Sequence, residues 1–221
     1  MCEDAYSWPE RADPLSIAEK LKNSLARDGK APPFQTVDFP STEDRRKRVR
    51  YWAGRVDGPM VLPWISLNPS GKRGDGRGST GTRIANFAWR WGFDGVAVYN
   101  IYPFPGPKPK GIEKQVVEWQ ERGNFAVRDA IAENHRYTAE CLRGFDAALV
   151  AWGAQDGHFG AETLRWAKEL FNAIQLANAS RNGDFETWCI GITKRGHPRH
   201  PSPLGRVPAD TLPERYHILC K

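Results

Sequence analysis

The sequence has few cysteines, and none of them lies close to another. Cys2, Cys141, Cys189 and Cys220 are widely separated and form no Cys-x-x-Cys pair. Structural zinc sites, disulfide frameworks and iron–sulfur clusters need paired or regularly spaced cysteines, so the sequence disfavours all three. We therefore expect a protein that binds no metal and requires no cofactor.

Long apolar stretches are also missing. No part of the chain approaches the roughly 18 consecutive apolar residues that a membrane span needs. The first 14 residues are acidic and lack the apolar stretch of a secretory signal. These absences predict a cytoplasmic protein with no membrane partner.

The residues that are present are typical of a folded domain. Of 221 residues, 40% are hydrophobic and 26% are charged, which is enough to bury a core. Glycine and proline together account for many positions, at 21 and 17 residues, and predict a large share of loop. The net charge of +6 favours a polyanionic partner such as nucleic acid.

The chain divides into an arm and a main domain. Residues 1–45 are predicted to form an N-terminal arm with one helix, because Leu15, Ala18, Leu21 and Leu25 recur at helical spacing. Residues 46–221 form the domain. The basic stretch 45–50 near the boundary fits a solvated face or edge strand and a phosphate-binding segment equally well.

From residue 60 onward, apolar strands alternate with helical stretches. This order predicts a parallel sheet covered by helices on both faces, a three-layer α/β/α sandwich around a four-stranded, mainly parallel sheet. The predicted strands are 60–67, 95–99, 146–152 and 185–193, the helices are 82–91, 124–142 and 160–177, and a proline-rich loop covers 102–111.

Polar or unusual residues follow each predicted strand. Asn68 follows the first strand, Asn100 ends the second, residues 152–155 follow the third and residues 197–204 follow the fourth. Because ligands of open α/β sheets bind at the carboxyl ends of the strands, these four segments predict one site.

A glycine-rich loop raises the alternative of a nucleotide site. Residues 76–81 have the glycine spacing of dinucleotide-binding loops, which must directly follow a strand and need an acidic residue at the end of the next one. Here eight residues intervene and the next strand ends in Asn100. A phosphate contact by backbone amides and Arg77 fits this loop better.

The stretch after the fourth strand is rich in proline and cationic residues and carries His197 and His200. With no cysteine or carboxylate nearby, this spacing suits a metal poorly, although both histidines could simply be turn residues. A rigid cationic loop that carries imidazoles suits the stabilisation of an anion beside a phosphate backbone.

Three segments, in this order, resemble motifs of the uracil-DNA glycosylase superfamily. Ile65-Ser66-Leu67-Asn68-Pro69 resembles the first motif in its mismatch-specific form, residues 151–155 resemble the third-strand segment, and His200-Pro201-Ser202-Pro203-Leu204 resembles the leucine loop. With residues 50–52, 91–92 and 196–201, the pattern also resembles an uncharacterised bacterial and phage domain family related to those glycosylases. The resemblance covers about residues 48–217.

The resemblance implies a DNA glycosylase that flips out a damaged or modified pyrimidine and hydrolyses its N-glycosidic bond, leaving an abasic site. Asn68 would position the attacking water, and His200, or alternatively His197, would stabilise the departing base. The implied partner is double-stranded DNA, bound by a monomer in repair or in defence against phage. The residues implied to bind the base are Asn100, Phe104 and Ser70, and those implied to bind DNA are the wedge Leu204 with Arg199, Arg206, Ser202 and Arg77.

The first motif departs from the uracil-specific branch, which has an aspartate and a bulky tyrosine there. This chain has Asn68 followed by Ser70-Gly71, so no rigid side chain blocks a substituent at C5 of the base. We therefore expect a C5-substituted pyrimidine, such as a hydroxymethylated or sugar-bearing cytosine, to be the better substrate. The alternatives are a hydrolase or transferase of free modified nucleotides and a non-catalytic nucleic-acid-binding module.

Overall fold

The computed structural model describes residues 16–24, 42–44, 49–56, 60–69, 79–106, 109–121, 125–154, 157–179, 184–201 and 207–218. These residues form a mixed α/β fold around a mostly parallel sheet. The helices are α1 (Ile17–Lys22), α2 (Ser79–Arg90), α3 (Pro109–Glu121), α4 (Phe125–Cys141) and α5 (Gly157–Ala177). The strands are β1 (Thr42–Asp44), β2 (Val49–Val56), β3 (Val61–Ser66), β4 (Gly95–Asn100), β5 (Ala147–Val150), β6 (Glu186–Cys189) and β7 (Glu214–Arg215).

The strands pair in the order β1-β2-β4-β3-β5-β6-β7. The four strands β4, β3, β5 and β6 are parallel, and β2 pairs antiparallel with β4. These five strands of four or more residues form the body of the sheet, and the short antiparallel strands β1 and β7 extend its edges. The prediction of four strands is therefore wrong in number, although the four predicted strands are all present.

The strand β3 lies at the centre of the sheet, between β4 and β5, and all six of its residues are buried. Helix α2 packs against it through aromatic rings. The Trp64 ring stacks on Trp91 with 6.3 Å between centroids and on Phe87 at the same distance. Because α2 follows β3 in the chain, this packing brings the N-terminal end of α2 back towards the carboxyl end of β3.

Four elements were not predicted, namely the strands β1, β2 and β7 and the helix α3. Strand β2 contains arginine and glycine among its apolar residues, and its five-residue antiparallel register with β4 makes it part of the sheet. Helix α3 begins at Pro109 inside the predicted proline-rich loop, so the loop prediction is wrong from that residue onward. A proline at the start of a helix is compatible with helical geometry, because the first amides of a helix have no intrahelical partner.

The predicted arm helix is present as α1, and it packs against the sheet domain. The backbone amides of Ile17 and Ala18 donate to the carboxylate of Asp146, at 2.9 and 3.4 Å, just before β5 begins. Ile17 and Leu21 are buried, and the Lys20 ammonium lies 5.6 Å from the centre of the Phe93 ring.

Within the described ranges, no helix combines the length and the apolar character that a membrane crossing requires.

The contact between Asp146 and α1 leads to a test of this packing. We expect Asp146→Ala to lower the free energy of unfolding by about 1–2 kcal/mol, because the first two amides of α1 lose their acceptor. Asp184→Ala, an exposed carboxylate before β6, is the matched control and should change stability by less than about 0.5 kcal/mol. Chemical denaturation measures both variants, and equal losses would contradict the role of Asp146.

Candidate functional site

The carboxyl ends of the parallel strands lie level with one another. Ser66 pairs with Asn100 at the ends of β3 and β4, Ile65 pairs with Val150, and Val150 pairs with Cys189 at the end of β6. The residues after these strands therefore meet at one edge, which we call the carboxyl edge (residues 66–69, 100–106, 150–154 and 190–201). The sequence analysis predicted that the segments after these four strands would lie together.

Asn68 lies half-buried at the carboxyl edge, and both hydrogens of its amide group are used by the backbone. Its Nδ2 donates to the carbonyl of Pro69 at 2.9 Å and to the carbonyl of Gly106 at 3.0 Å. This double contact fixes the orientation of the side chain, so that Oδ1 is the atom available as an acceptor.

Asn100 and Ser66 are neighbours at the ends of β4 and β3, and both side chains are at least nine-tenths buried. In the described part of the chain, neither Asn100 Oδ1 nor Ser66 Oγ has a hydrogen-bond partner. Buried polar atoms are normally paired, so two adjacent unpaired ones indicate a place where a ligand or water completes the hydrogen bonding.

Two side chains of helix α4 contact backbone carbonyls at the end of β4. Asn134 Nδ2 donates to the carbonyl of Asn100 at 2.8 Å, and His135 Nε2 lies 3.0 Å from the carbonyl of Ile101. Burial lowers the pKa of His135 to about 4, so its imidazole is neutral at pH 7. Since a carbonyl oxygen only accepts, the neutral ring must carry its hydrogen on Nε2.

Two aromatic residues follow β4, and both are buried. The Tyr102 hydroxyl lies 3.2 Å from Thr163 Oγ1, its ring stacks on Phe159 with 5.6 Å between centroids, and burial raises its pKa. Phe104, the aromatic residue predicted to stack on a base, is only 3% exposed. A base can therefore stack on Phe104 only if the residues that cover its ring move aside.

The segment after β6 turns back and returns to the carboxyl edge. Thr193 N donates to the carbonyl of His197 at 2.8 Å, His197 N donates to Thr193 Oγ1 at 3.1 Å, and Gly196 takes a positive φ of 79° in the turn. Gly153 N, just beyond β5, then donates to the carbonyl of Pro198 at 2.9 Å. These contacts attach the segment that carries His197 and His200 to the end of β5.

His200 lies half-buried between two fixed points of the backbone. On one side Arg199 N donates to the carbonyl of Gly191 at 2.8 Å, and on the other Arg83 Nε donates to the carbonyl of Pro201, also at 2.8 Å. Burial lowers the pKa of His200 to about 4, so its ring is neutral at pH 7 and carries one N–H group. The Arg199 side chain is exposed, and its Nε lies 3.3 Å from the carbonyl of Ile192.

The structure thus brings Asn68, Asn100, Phe104, His197, Arg199 and His200 to one edge of the sheet. The other predicted site residues lie outside the described residues: Ser70, Arg77, Ser202, Leu204 and Arg206. Across the ranges that are described, no group of three or more histidine, cysteine, aspartate or glutamate side chains is arranged to hold a metal ion.

Three residues of the site were not predicted. Ser66 has a visible signal, because it is the first polar side chain of an otherwise apolar strand. Asn134 lies at helical spacing from the buried residues Ala130 and Ile131, so its position on an apolar helix face could also have been recognised from the sequence. Arg83 carries no such signal, because its partners lie 118 and 124 residues further along the chain.

Fold and site define an α/β protein whose polar residues converge at the carboxyl ends of its parallel strands. The chain belongs to the family described as protein of unknown function (DUF1643), whose model matches residues 50–202. The match begins in β2 and ends just beyond His200, so it includes Asn68 and Asn100 but not α1. Neither the comparison with curated proteins nor the comparison with solved structures gave a match.

The close approach of Gly106 to Asn68 and Ile112 leads to a prediction about the site. A Cβ added at Gly106 would lie 2.6 Å from Ile112 Cδ1, a fully buried side chain, and 3.7 Å from Asn68 Nδ2. We expect Gly106→Ala to lower the free energy of unfolding by about 1–3 kcal/mol through overpacking.

Gly111 in α3 is the matched control, because a Cβ there would meet no atom within 4 Å. We expect Gly111→Ala to leave stability unchanged or to raise it by about 0.5–1 kcal/mol, since alanine favours a helix interior. Denaturant titration of the two variants decides, and an unchanged midpoint for Gly106→Ala would contradict this packing.

Proposed function

We propose that this protein is a DNA glycosylase that removes a modified pyrimidine from duplex DNA and leaves an abasic site. The observation that carries the proposal is the convergence of Asn68, Asn100 and His200 at one edge of the sheet, from three segments far apart in sequence. Their roles follow from the resemblance of these segments to uracil-DNA glycosylase motifs. The net charge of +6 suits a partner with a phosphate backbone.

In the proposed reaction, Asn68 positions the attacking water. With both amide hydrogens held by backbone carbonyls, Oδ1 is left as a fixed acceptor for one hydrogen of that water. The water oxygen bonds to C1′ of the sugar, the C1′–N1 bond breaks, and its electron pair leaves with the base. The water loses one proton to solvent, the base anion takes up one proton from solvent at N1, and the products are the free base and an abasic sugar. An amide is a poor general base, so other groups must stabilise the departing base.

His200 is the residue proposed to stabilise the departing base. Its imidazole is neutral at pH 7, and it would donate one N–H to an oxygen of the base as negative charge develops there. A neutral donor that is already in position needs no proton transfer before the bond breaks. His197, three residues earlier in the same segment, is the alternative for this role.

Recognition of the base is assigned to the ends of β3 and β4. A buried polar atom without a partner costs about 1–3 kcal/mol, and a base that hydrogen-bonds to Asn100 and Ser66 would recover that cost. A base inside a duplex cannot reach these atoms, so it must be flipped out. Leu204 is proposed as the wedge that fills the gap, with Phe104 and Ser70 at the base and Ser202, Arg77, Arg199 and Arg206 at the DNA backbone.

The proposal includes a three-layer fold of the kind that the resemblance implies. Trp64 on β3 contacts the rings of Phe87 on α2 and of Trp91 just after it, which supports the assignment of α2 to one face of the sheet. Adjacent side chains of a strand point to opposite faces of the sheet, so the side chains of Tyr99 and Asn100, at the end of β4, lie on opposite faces. Helices α4 and α5 pack on each other, and we assign them to the layer opposite α2.

The proposal is tested by single-turnover assays for abasic sites with variants of the two central residues. We expect Asn68→Ala and His200→Ala each to slow excision by about 10²–10³-fold, the usual effect of losing one stabilising contact. Both variants must fold, which thermal melting checks. Wild-type rates in both variants would refute the assignment, and a loss confined to His197→Ala would transfer the role of His200 to His197.

Asn68→Asp provides a sharper form of this test. Aspartate is the stronger base, but its carboxylate has no hydrogen to donate to the carbonyls of Pro69 and Gly106. We therefore expect Asn68→Asp to be no faster than Asn68→Ala at pH 7. A faster reaction would show that the orientation of Asn68 is not what its catalytic role requires.

A panel of bases tests the substrate. We expect duplexes with 5-hydroxymethylcytosine or its glucosylated form to be cleaved faster than a matched duplex with uracil, because the sequence has Ser70-Gly71 where the uracil-specific motif has a bulky tyrosine. Uracil cleaved fastest would contradict this expectation. Cleavage of free nucleotides alone, or salt-dependent DNA binding without abasic sites, would favour the two alternative functions.

A further inference from the structure

Arg83 of helix α2 makes contacts that the proposed reaction does not use. Its Nε donates to the carbonyl of Pro201 at 2.8 Å, and its Nη2 donates to the carbonyl of Val207. The guanidinium lies 5.8 Å from the centre of the Phe87 ring, and it pairs with no carboxylate among the described residues. The half-buried side chain of Arg83 thus connects α2 to Pro201 and Val207, which are six residues apart.

One donor at the end of α2 and one directly after the helix contact the same part of the chain. Arg90 Nη1 donates to the carbonyl of Ala209 at 3.3 Å, and Trp91 Nε1 donates to the carbonyl of Thr211 at 3.1 Å. These residues follow Arg83 at intervals of seven and eight, so all three lie on one face of the helix. Only Arg83 reaches the residue next to His200.

We propose that Arg83 is a positioning residue for His200, acting through the backbone at Pro201 and Val207. The inference rests on the proposed function, in which His200 stabilises the departing base. Since Arg199 N is bonded to Gly191 on the other side, the bond from Arg83 completes the fixation of the backbone around His200. A 1 Å displacement of a stabilising donor is enough to slow a reaction severely.

Arginine suits this task and lysine does not. The planar guanidinium presents several donors in fixed directions and can bond two carbonyls at once, whereas a lysine ammonium is a single point charge on a flexible stem. Arg83→Lys therefore keeps the positive charge and removes the double contact. Arg90→Lys is the matched control, because Arg90 lies on the same helix and bonds one carbonyl of the same stretch, further from His200.

The first experiment measures the position of His200 without any substrate. Proton NMR titration gives the pKa of each histidine, and comparison with His200→Gln assigns its signal. We expect Arg83→Lys to raise the pKa of His200 from about 4 by about one unit or more, because a displaced ring gains contact with water. The pKa of His135 should stay near 4 in both lysine variants.

Since lysine retains the charge, a rise in the pKa of His200 reports displacement rather than a lost repulsion. An unchanged pKa of His200 in Arg83→Lys would refute the inference. So would an equal rise at His135, because that would show general loosening of the fold. Thermal melting confirms that both variants fold, and Arg83→Gln provides a second variant in which the double contact is also lost.

The second experiment measures dependence on the leaving group. Two pairs of duplexes are compared, uracil with 5-fluorouracil and 5-hydroxymethylcytosine with 5-formylcytosine, because the second base of each pair withdraws electrons and departs more easily. We expect Arg83→Lys to slow the first base of a cleaved pair about tenfold or more and the second base less, as partial loss of His200 would. Arg90→Lys should leave both rates unchanged.

Equal slowing within a pair would refute the role of Arg83 and leave the glycosylase proposal standing. No excision by the wild-type protein from either pair or from the panel of bases would refute the glycosylase proposal. The titration of His200 would still decide whether Arg83 positions that ring.

Discussion

The complete burial of β3 is the constraint on which the rest of the structure depends. The strand lies between β4 and β5 with α2 packed against Trp64, so none of its residues from Val61 to Ser66 is exposed to water. Every backbone polar group in such a strand must find a partner in a neighbouring strand, and its side chains must be apolar. Polar chemistry can therefore begin only where the strand ends, at Ser66 and Asn68.

The pairing of the strands continues into the segments that follow them. Ile101 N donates to the carbonyl of Ser66 at 3.0 Å, and Ala151 N donates to the carbonyl of Ile65 at 2.8 Å. The returning segment is joined to the same edge by Gly153 N, and to α2 by Arg83. Helix α2 thus packs its aromatic rings against the core, and its Arg83 hydrogen-bonds to the segment that carries His197 and His200. The site is therefore attached both to the sheet and to the helix that covers it.

The accuracy of the sequence predictions differs between elements for physical reasons. The parallel strands β3, β4 and β5 were predictable because each is a short apolar run bounded by polar or turn-forming residues, and β6 was predictable from the apolar residues 188–190 at its end. Strand β2 was not, because a strand at the side of the parallel body need not be wholly apolar and owes its structure to its pairing with β4. Helix α3 was hidden by the prolines around Pro109, which disfavour helix interiors but are compatible with the first turn.

The alternation of strands and helices, and the positions of Asn68 and Asn100 at strand ends, could be predicted from the sequence alone, because periodicity and apolar runs are local properties. The sequence also shows that His197 and His200 belong to one proline-rich segment. Which atoms of Asn68 are hydrogen-bonded, and which atoms of Asn100 and Ser66 have no partner among the described residues, could be seen only in the folded chain. The bond from Arg83 to the backbone beside His200 is likewise visible only there. The bond from Asn68 to Gly106 spans 38 positions and the bond from Arg83 to Pro201 spans 118, and no local pattern specifies which of such distant residues will meet.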